Sequence, residues 1–327
     1  ITTLPETISF SPLPIPHSKN PLLRRDLFDA RFQFASSASL PYPSFSGDTE
    51  IEMTEEFVDV GSDLVPGVYE GGLKTWEGGM DLVDVLSESI LDIRGKRVLE
   101  VGCGTALPSA YILRNLLSNP SSSSSSSTSA ILITTIHLQD YNHLVLSLVT
   151  LPNLILATIP YLPRSILQRS GSSMDEEAEV DFTQSANLDL TPELLIAFLD
   201  LLRENGVEVR FSSGDWSGLA EQLTDEKKYD LVLTAETIYS EGSVMPLLDV
   251  LRNSTRPRSD EVLAAVDNES LGRGESVILL AAKVLYFGVG GGLQSFIELV
   301  EGTGGWSNSV KEWTKGVGRR VIRIGWT

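Results

Sequence analysis

The stretch Val98–Ser109, VLEVGCGTALPS, decides the architecture. Val98 to Val101 reads as a short buried strand, Gly102 and Gly104 as a turn, and Leu107-Pro108-Ser109 as a helix start with proline in its tolerated first turn. Glycines at such a turn let backbone approach a ligand without side-chain interference. In an open α/β sheet the turn lies at the carboxyl ends of the strands, where ligands bind.

The same alternation continues on both sides. GGMDLVDVLSESILDI sets Met80, Val83, Leu86 and Ile90 on one helical face. AILITTIHLQD is a strand, and YNHLVLSLVTL a helix that Pro152 is expected to stop. TPELLIAFLDLLREN is a helix capped by Thr191 and ended by Gly206. Strand VEVRFSS, a short helix at SGLAEQL, strand YDLVLTAET, a helix around SVMPLLDVLRN and strand SVILLAAKVLYF follow. Near-continuous apolar strands between helices predict a Rossmann-like α/β fold, with a mostly parallel sheet and helices on both faces. The end differs: after helix GLQSFIELVEG, WSNSVKEW and RRVIRIGWT have no helix between them, which predicts an antiparallel hairpin at the sheet edge. Residues 1–50, rich in Pro and Ser without a sustained period, are expected to form a partly disordered, mobile arm able to dock in short pieces, before one domain over 51–327. Surface inserts are expected near 119–129, 162–185 and 253–275.

The 327 residues are 42% hydrophobic and 21% charged, enough to bury a sizeable core. Inspection finds no apolar run of the roughly 18 residues a membrane span needs, VILLAAKVLYFGV being the nearest, so no membrane association is expected. No positively charged start leads into an apolar signal segment, and the single cysteine excludes an internal disulfide. The expectation is a monomer in a reducing compartment, cytoplasm or nucleus. The net charge is −19, and because residues 1–47 carry four Lys/Arg against three Asp/Glu, the acidity lies in the rest. That disfavours nucleic acid as a direct partner and favours a basic one. An enzyme acting on basic proteins and a plainly solvated acidic surface both fit. KEWTKGVGRRVIR, with five basic residues and one acid, is a local exception that reads as a solvated hairpin or an RNA contact.

Two cofactors compete for the glycine turn. A dinucleotide fold wants G-x-G-x-x-G, but Leu107 stands at the third glycine, and Glu100 just before the turn opposes a pyrophosphate. S-adenosylmethionine, with a sulfonium, an ammonium and no phosphate, fits better. Asp140 in HLQDY, at the end of the second strand, is placed to accept hydrogen bonds from ribose hydroxyls, and its spacing becomes acceptable once the insert Asn119–Ser129 is removed. This pair of signals favours S-adenosylmethionine over a nicotinamide nucleotide without deciding it. No metal is expected: His137 and His143 lack ligand spacing, and Cys103 reads as a small packed residue.

Longer strings are more specific. SDLVPGVYEGGLKTWEGGMDL (62–82), LEVGCGT (99–105), LQDYN (138–142), VTLPN (149–153), SSGDW (212–216), YDLVLTAETIY (229–239) and AAKVLYFGVGGG (281–292) occur in this order. Together they resemble the histidine protein methyltransferase family, a branch of the seven-strand S-adenosylmethionine-dependent methyltransferases. The resemblance covers about 51–326 with interruptions at the inserts. It implies methylation of a histidine in a protein of the large ribosomal subunit, on the ring nitrogen remote from the main chain. It places cofactor contacts at Thr75, Trp76, Glu77, Gly78 and Gly79, at Gly102, at Gln139, Asp140 and Tyr141, at Gly214, Asp215 and Trp216, and at Ala235. On that basis Asp140 takes the ribose, Gly214 to Trp216 wall the adenine, and Glu77 meets the ammonium. Trp76 and Trp216 also fit a core. Ala106 departs from the third glycine of the general methyltransferase turn, and Ala235 puts a methyl where a relative has a hydroxyl.

Methylating an imidazole needs no strong base, because the ring is largely neutral near its unperturbed pKa of about 6.5. It needs an acceptor for one ring N–H so that the other nitrogen presents its lone pair. Glu236 in TAETIY is the first candidate, as acceptor or as its positioner, with Tyr239 second and Asp63 third; a loop-bracing role for Glu236 is equally open. Two alternatives to a histidine methyltransferase stand: a methyltransferase of this fold acting on lysine or a small molecule, and a non-catalytic chaperone of a basic ribosomal protein.

Overall fold

The computed structural model describes residues 4–38, 72–89, 92–119, 132–167, 182–223, 228–256, 276–285 and 292–326. Asp63, Ile90, the GVG run of the glycine-rich loop and most of the three expected inserts lie outside these residues. The chain runs β1 (Thr7–Leu13), β2 (Leu22–Arg25), α1 (Leu27–Ala38), α2 (Glu77–Glu88), β3 (Arg97–Val101) and α3 (Leu107–Ser118). Next come β4 (Thr134–Asp140), α4 (His143–Val145), a π-turn (Leu146–Thr150), α5 (Leu151–Thr158), α6 (Arg164–Leu167) and β5 (Ala186–Asp189). It ends with α7 (Pro192–Glu204), β6 (Val207–Ser213), α8 (Trp216–Gln222), β7 (Leu231–Ala235), α9 (Glu241–Ser254), β8 (Val277–Lys283), α10 (Leu293–Gly302), β9 (Gly305–Trp313) and β10 (Arg319–Trp326).

The main sheet has seven strands in the order β6-β4-β3-β7-β8-β10-β9. The first five are mutually parallel, and β10 runs antiparallel to both β8 and β9. The antiparallel edge therefore forms as the sequence predicts, with β10 wedged between β8 and β9. Strand residues alternate between two cores. Val98, Leu231, Leu233 and Leu279 face the side covered by α2, α3, α5 and α7, whereas Leu99, Val232, Ile278 and Leu280 face α8, α9 and α10. This double burial is why the strands read as unbroken apolar runs.

Three expectations are corrected. First, residues 7–38 are not a mobile arm. β1 pairs with β2 and with β5 in a second, three-stranded sheet, and Ile8, Phe10, Leu22 and Leu23 are buried in the same core as the main sheet. Each such side chain contributes roughly 1.5–3 kcal/mol on burial. The pattern escapes detection because only Ile8 and Phe10 alternate in TISFSPL, too short a run to register. For the same reason β5, directly after the acidic 162–185 stretch, is invisible until it pairs.

Second, Pro152 does not end its helix. The chain stays helical from His143 to Tyr161, with the π-turn Leu146–Thr150 just ahead of Pro152. Proline at 152 withholds an N–H from the Leu148 carbonyl and crowds it. The widened turn makes room, and the buried Arg25 guanidinium donates to that carbonyl instead. Third, this 19-residue stretch, with mean hydropathy 1.8, is long and apolar enough to cross a membrane. The expectation that no such segment exists was wrong, but 72% of the stretch is covered by protein here.

Three of the five basic residues of the hairpin pair with carboxylates of this chain. The Lys311 ammonium lies 2.7 Å from both Asp84 and Glu88, Arg319 Nε 2.7 Å from Asp81, and Arg320 Nε 2.8 Å from Glu312. Of the two readings of this segment, these pairs favour a surface hairpin held to α2.

Candidate active site

The parallel strands present their carboxyl ends at one edge of the sheet, where β4 and β6 lie to one side of β3 and β7 and β8 to the other. Strand order reverses here, and the loops after β3, β4, β6 and β7 enclose a cavity of about 390 Å³. Its lining includes Gly102, Gly104, Asp140, Tyr141, Gly214, Asp215, Trp216, Ala235, Glu236 and Tyr239, with Trp76 and Gly79 from the start of α2. Most of the sequence-derived site residues are thus brought to one hollow.

The glycine turn is built on left-handed backbone. Gly102 has φ 61° and Gly104 φ 49°. A Cβ at Gly102 would fall 2.7 Å from Thr237 Cγ2, and one at Gly104 3.2 Å from the Gly72 backbone. Ala106 also takes a left-handed φ, of 50°, which explains why a third glycine is usual there. β4 supplies the acceptors that hold the turn. The Gly104 N–H donates to Asp140 Oδ2 at 2.9 Å, the Asn142 N–H to Asp140 Oδ1 at 3.0 Å, and the Gly102 N–H to Gln139 Oε1 at 3.2 Å.

Gln139 is absent from the cavity lining and works behind the wall. Besides the turn, its Oε1 accepts the Trp216 indole N–H at 3.0 Å, and its Nε2 donates to the Gly214 carbonyl at 2.8 Å. One amide thereby ties β3, β4 and the loop after β6 together. Asp215 caps α8, accepting the Gly218 N–H at 2.9 Å, and so aims Trp216 at the cavity. Both candidate tryptophans line the cavity, and Trp216 also packs against the core under α8–α10. Trp76 has Lys74 Nζ 4.6 Å and Lys283 Nζ 4.8 Å from its ring centroid.

The anticipated ammonium partner, Glu77, lies apart from the cavity lining. Glu77 opens α2 with an exposed carboxylate 3.9 Å from Lys283, and neither it nor Thr75 nor Gly78 is in the lining. The sequence reading passed over Glu100 as a site residue. It is 3% exposed, lines the cavity and accepts the Ser109 N–H at 3.0 Å. Its position directly before the glycine turn was the signal. Burial pushes the Glu100 carboxyl up to about 8, against hydrogen bonds from Ser109 that pull it down. Burial likewise raises Asp140 to about 6, opposed by the Asn142 and Gly104 amides.

The lining carries four carboxyl side chains, Glu100, Asp140, Asp215 and Glu236, and among the described residues a single basic one, Lys74. Such a hollow repels phosphate and rewards a cation, so the residues present fit S-adenosylmethionine. A pH prediction follows. An incoming cation favours ionised Glu100 and expels its proton, so affinity must rise with pH below about 8. Between pH 6 and 7.5, where an α-amino group of pKa about 7.7–8.0 stays mostly charged, S-adenosylmethionine affinity should rise roughly tenfold. Calorimetry in buffers of different ionisation enthalpy would register the released proton; a flat profile would exclude this role for Glu100.

Other candidates resolve structurally. Cys103 is buried, its Sγ 3.7 Å from Thr150 Oγ1, and burial pushes its thiol well up, as for a packed residue. His137 is held between Tyr229 Oη at 2.5 Å and Ser212 Oγ at 2.9 Å, and burial lowers it to about 4.

Glu236 sits at φ 57°, just past β7, with its N–H donating to the Ala281 carbonyl at 2.9 Å. Its Cγ and Oε1 lie 3.1 Å from where a Gly78 Cβ would stand, so the glycine at α2's first turn makes room for this side chain.

Known proteins with related sequences bear on this site. Histidine protein methyltransferase 1 of Saccharomyces cerevisiae is 31% identical over 298 residues, spanning 88% of this chain and 71% of that protein. The chain belongs to the histidine protein methyltransferase family. The Bos taurus homologue is 34% identical over 73% of this chain, and the Schizosaccharomyces pombe protein 29% identical over 92%. The chain spans about half, 51%, of the Bos taurus protein's length. A family profile described as Lysine methyltransferase matches residues 185–276. Among solved structures, an O-methyltransferase from Bacillus cereus in complex with SAH aligns over 92% of this chain and 90% of that one, at 12% identity and a TM-score of 0.39. As a member of its family the chain is a methyltransferase, a transferase.

Proposed function

We propose that the chain methylates a ring nitrogen of a protein histidine, and that the target is a basic protein of the large ribosomal subunit, met in the cytoplasm or nucleus by the enzyme as a monomer. The observation that carries the donor is the carboxyl-lined cavity over a left-handed glycine turn, which suits a cation and opposes a pyrophosphate. The names of the relatives support histidine as acceptor, and the net charge of −19 supports a basic substrate.

When bound, the cofactor supplies an electrophilic methyl group on a sulfonium that leaves as a neutral thioether. The protein's part is to bind, orient and dehydrate. Asp140 offers its carboxylate to the ribose, Trp216 and Gly214 a wall for the adenine, and Glu100 a counter-charge. The imidazole must arrive with its free lone pair in line with the methyl group, and such alignment is worth roughly 7–11 kcal/mol of the barrier. Glu236, with Tyr239 beside it in the lining, accepts the N–H of the other ring nitrogen, fixes the tautomer and stabilises the imidazolium as the N–C bond forms. That imidazolium then returns its proton to solvent.

The lysine profile over 185–276 favours a second reading, in which the same cavity serves a lysine amine. Incubation with isotopically labelled S-adenosylmethionine and large-subunit ribosomal proteins, followed by peptide mass mapping, decides between them. Label on a histidine is the expected result. Label on lysine replaces the acceptor, and binding of the donor with no transfer to any of these proteins removes the ribosomal assignment.

A further inference from the structure

The glycine turn has three left-handed residues in five, Gly102, Gly104 and Ala106, and lies outside any strand or helix, so it depends on outside anchors. Its N–H groups are held by β4. Two of its carbonyls are held by the helix that runs through Pro152. The Thr150 hydroxyl donates to the Gly104 carbonyl at 2.6 Å, and Asn153 Nδ2 donates to the Thr105 carbonyl at 2.8 Å. Both side chains are fully buried.

An asparagine amide can present either its oxygen or its nitrogen, and an N-terminal strand makes the choice. The Arg25 N–H of β2 donates to Asn153 Oδ1 at 2.8 Å. With the oxygen claimed there, Nδ2 must face Thr105; a flip would set two donors and two acceptors against each other. Arg25 in turn is locked onto the helix. Its buried guanidinium donates to the Leu148 carbonyl that Pro152 leaves unserved, and pairs with Asp29 at 3.0 Å. Neither Arg25 nor Asn153 lines the cavity.

We infer that Arg25 and Asn153 are positioning residues for the cofactor turn, so that β2, through Arg25, supports the donor site and is not a separate appendage. This rests on the cofactor reading above. Truncating Asn153 removes the donor to the Thr105 carbonyl, whereas truncating Arg25 keeps its N–H on Asn153 Oδ1 but removes the guanidinium bonds that lock β2 to the helix carrying Asn153; the seven-strand sheet is left intact in both cases.

The experiment compares Asn153→Ala and Arg25→Met in the full chain with wild type. It reads SAH affinity by calorimetry, kcat at saturating donor, and hydrogen exchange of the amides at 102–107. Both variants should weaken SAH binding about tenfold, hold kcat within about twofold and speed exchange across the turn. Thr7→Val removes an exposed hydrogen bond between β1 and β5, 2.8 Å long, and should change none of the three, which separates positioning from general loosening of the segment. If Asn153→Ala does not fold, Thr150→Val cuts the neighbouring link to Gly104 with little change in volume. Folded variants with wild-type exchange and SAH affinity within about twofold overturn the inference. A wild-type protein that binds no SAH defeats the cofactor reading instead, and the exchange data still judge the positioning role.

Discussion

Glu236→Gln is expected to lower kcat about 100-fold while leaving SAH affinity within about twofold. The substitution preserves volume, so the close fit against Gly78 and the N–H bond to Ala281 survive. What changes is charge. A neutral amide at the end of β7 still meets a ring N–H but no longer stabilises the imidazolium as it forms. Glu236 also holds a left-handed φ of 57°, costly for a residue with a Cβ and a mark of a position kept for its side chain. Unchanged kcat with unchanged affinity would reduce Glu236 to a brace under α2, and Tyr239 would inherit the role.

Gly102→Ala should abolish measurable donor binding, a loss of more than about 100-fold. The new methyl meets two penalties at once. Its backbone must keep φ 61°, which costs roughly 1–2 kcal/mol for an L-residue. It also lands 2.7 Å from Thr237 Cγ2, and Thr237 is not at liberty to turn away: it is 5% exposed and its Oγ1 bonds Thr234 Oγ1 at 2.7 Å. The turn must shift, carrying with it the N–H held by Gln139. Adding Thr237→Ser deletes the clashing methyl and keeps the hydroxyl, so the double variant should recover much of the affinity. Titration of SAH into both proteins checks this, and a Gly102→Ala protein binding within about threefold of wild type would show that the turn does not touch the donor.

Site legibility followed charge and backbone demands. Glycines at 102 and 104 sit in a strand-to-helix turn that demands left-handed backbone, and Asp140 closes the next strand, so both could be found in one dimension. Glu77 and Gln139 show the limit. Each is adjacent in sequence to true lining residues, yet Glu77 points out to Lys283 and Gln139 clamps the wall from behind. The direction of a side chain depends on its helix start or strand register, not on the motif that contains it. Glu100 was visible as a charge opposing phosphate, but its worth as a counter-charge depends on burial.

What the amino-acid sequence by itself determined is the seven-strand sheet, its antiparallel edge and the place of the glycine turn, because unbroken apolar strands and helical periods are local patterns that bury the same way in any context. Only the tertiary structure decided the fate of residues 7–38 and of Pro152. Two alternating apolar residues and one arginine carry no periodic signal, and much of what holds them, β5, Leu148 and Asn153, lies more than a hundred residues away. A proline inside a helix is a break until a widened turn and a buried guanidinium from another element make room for it and serve its stranded carbonyl.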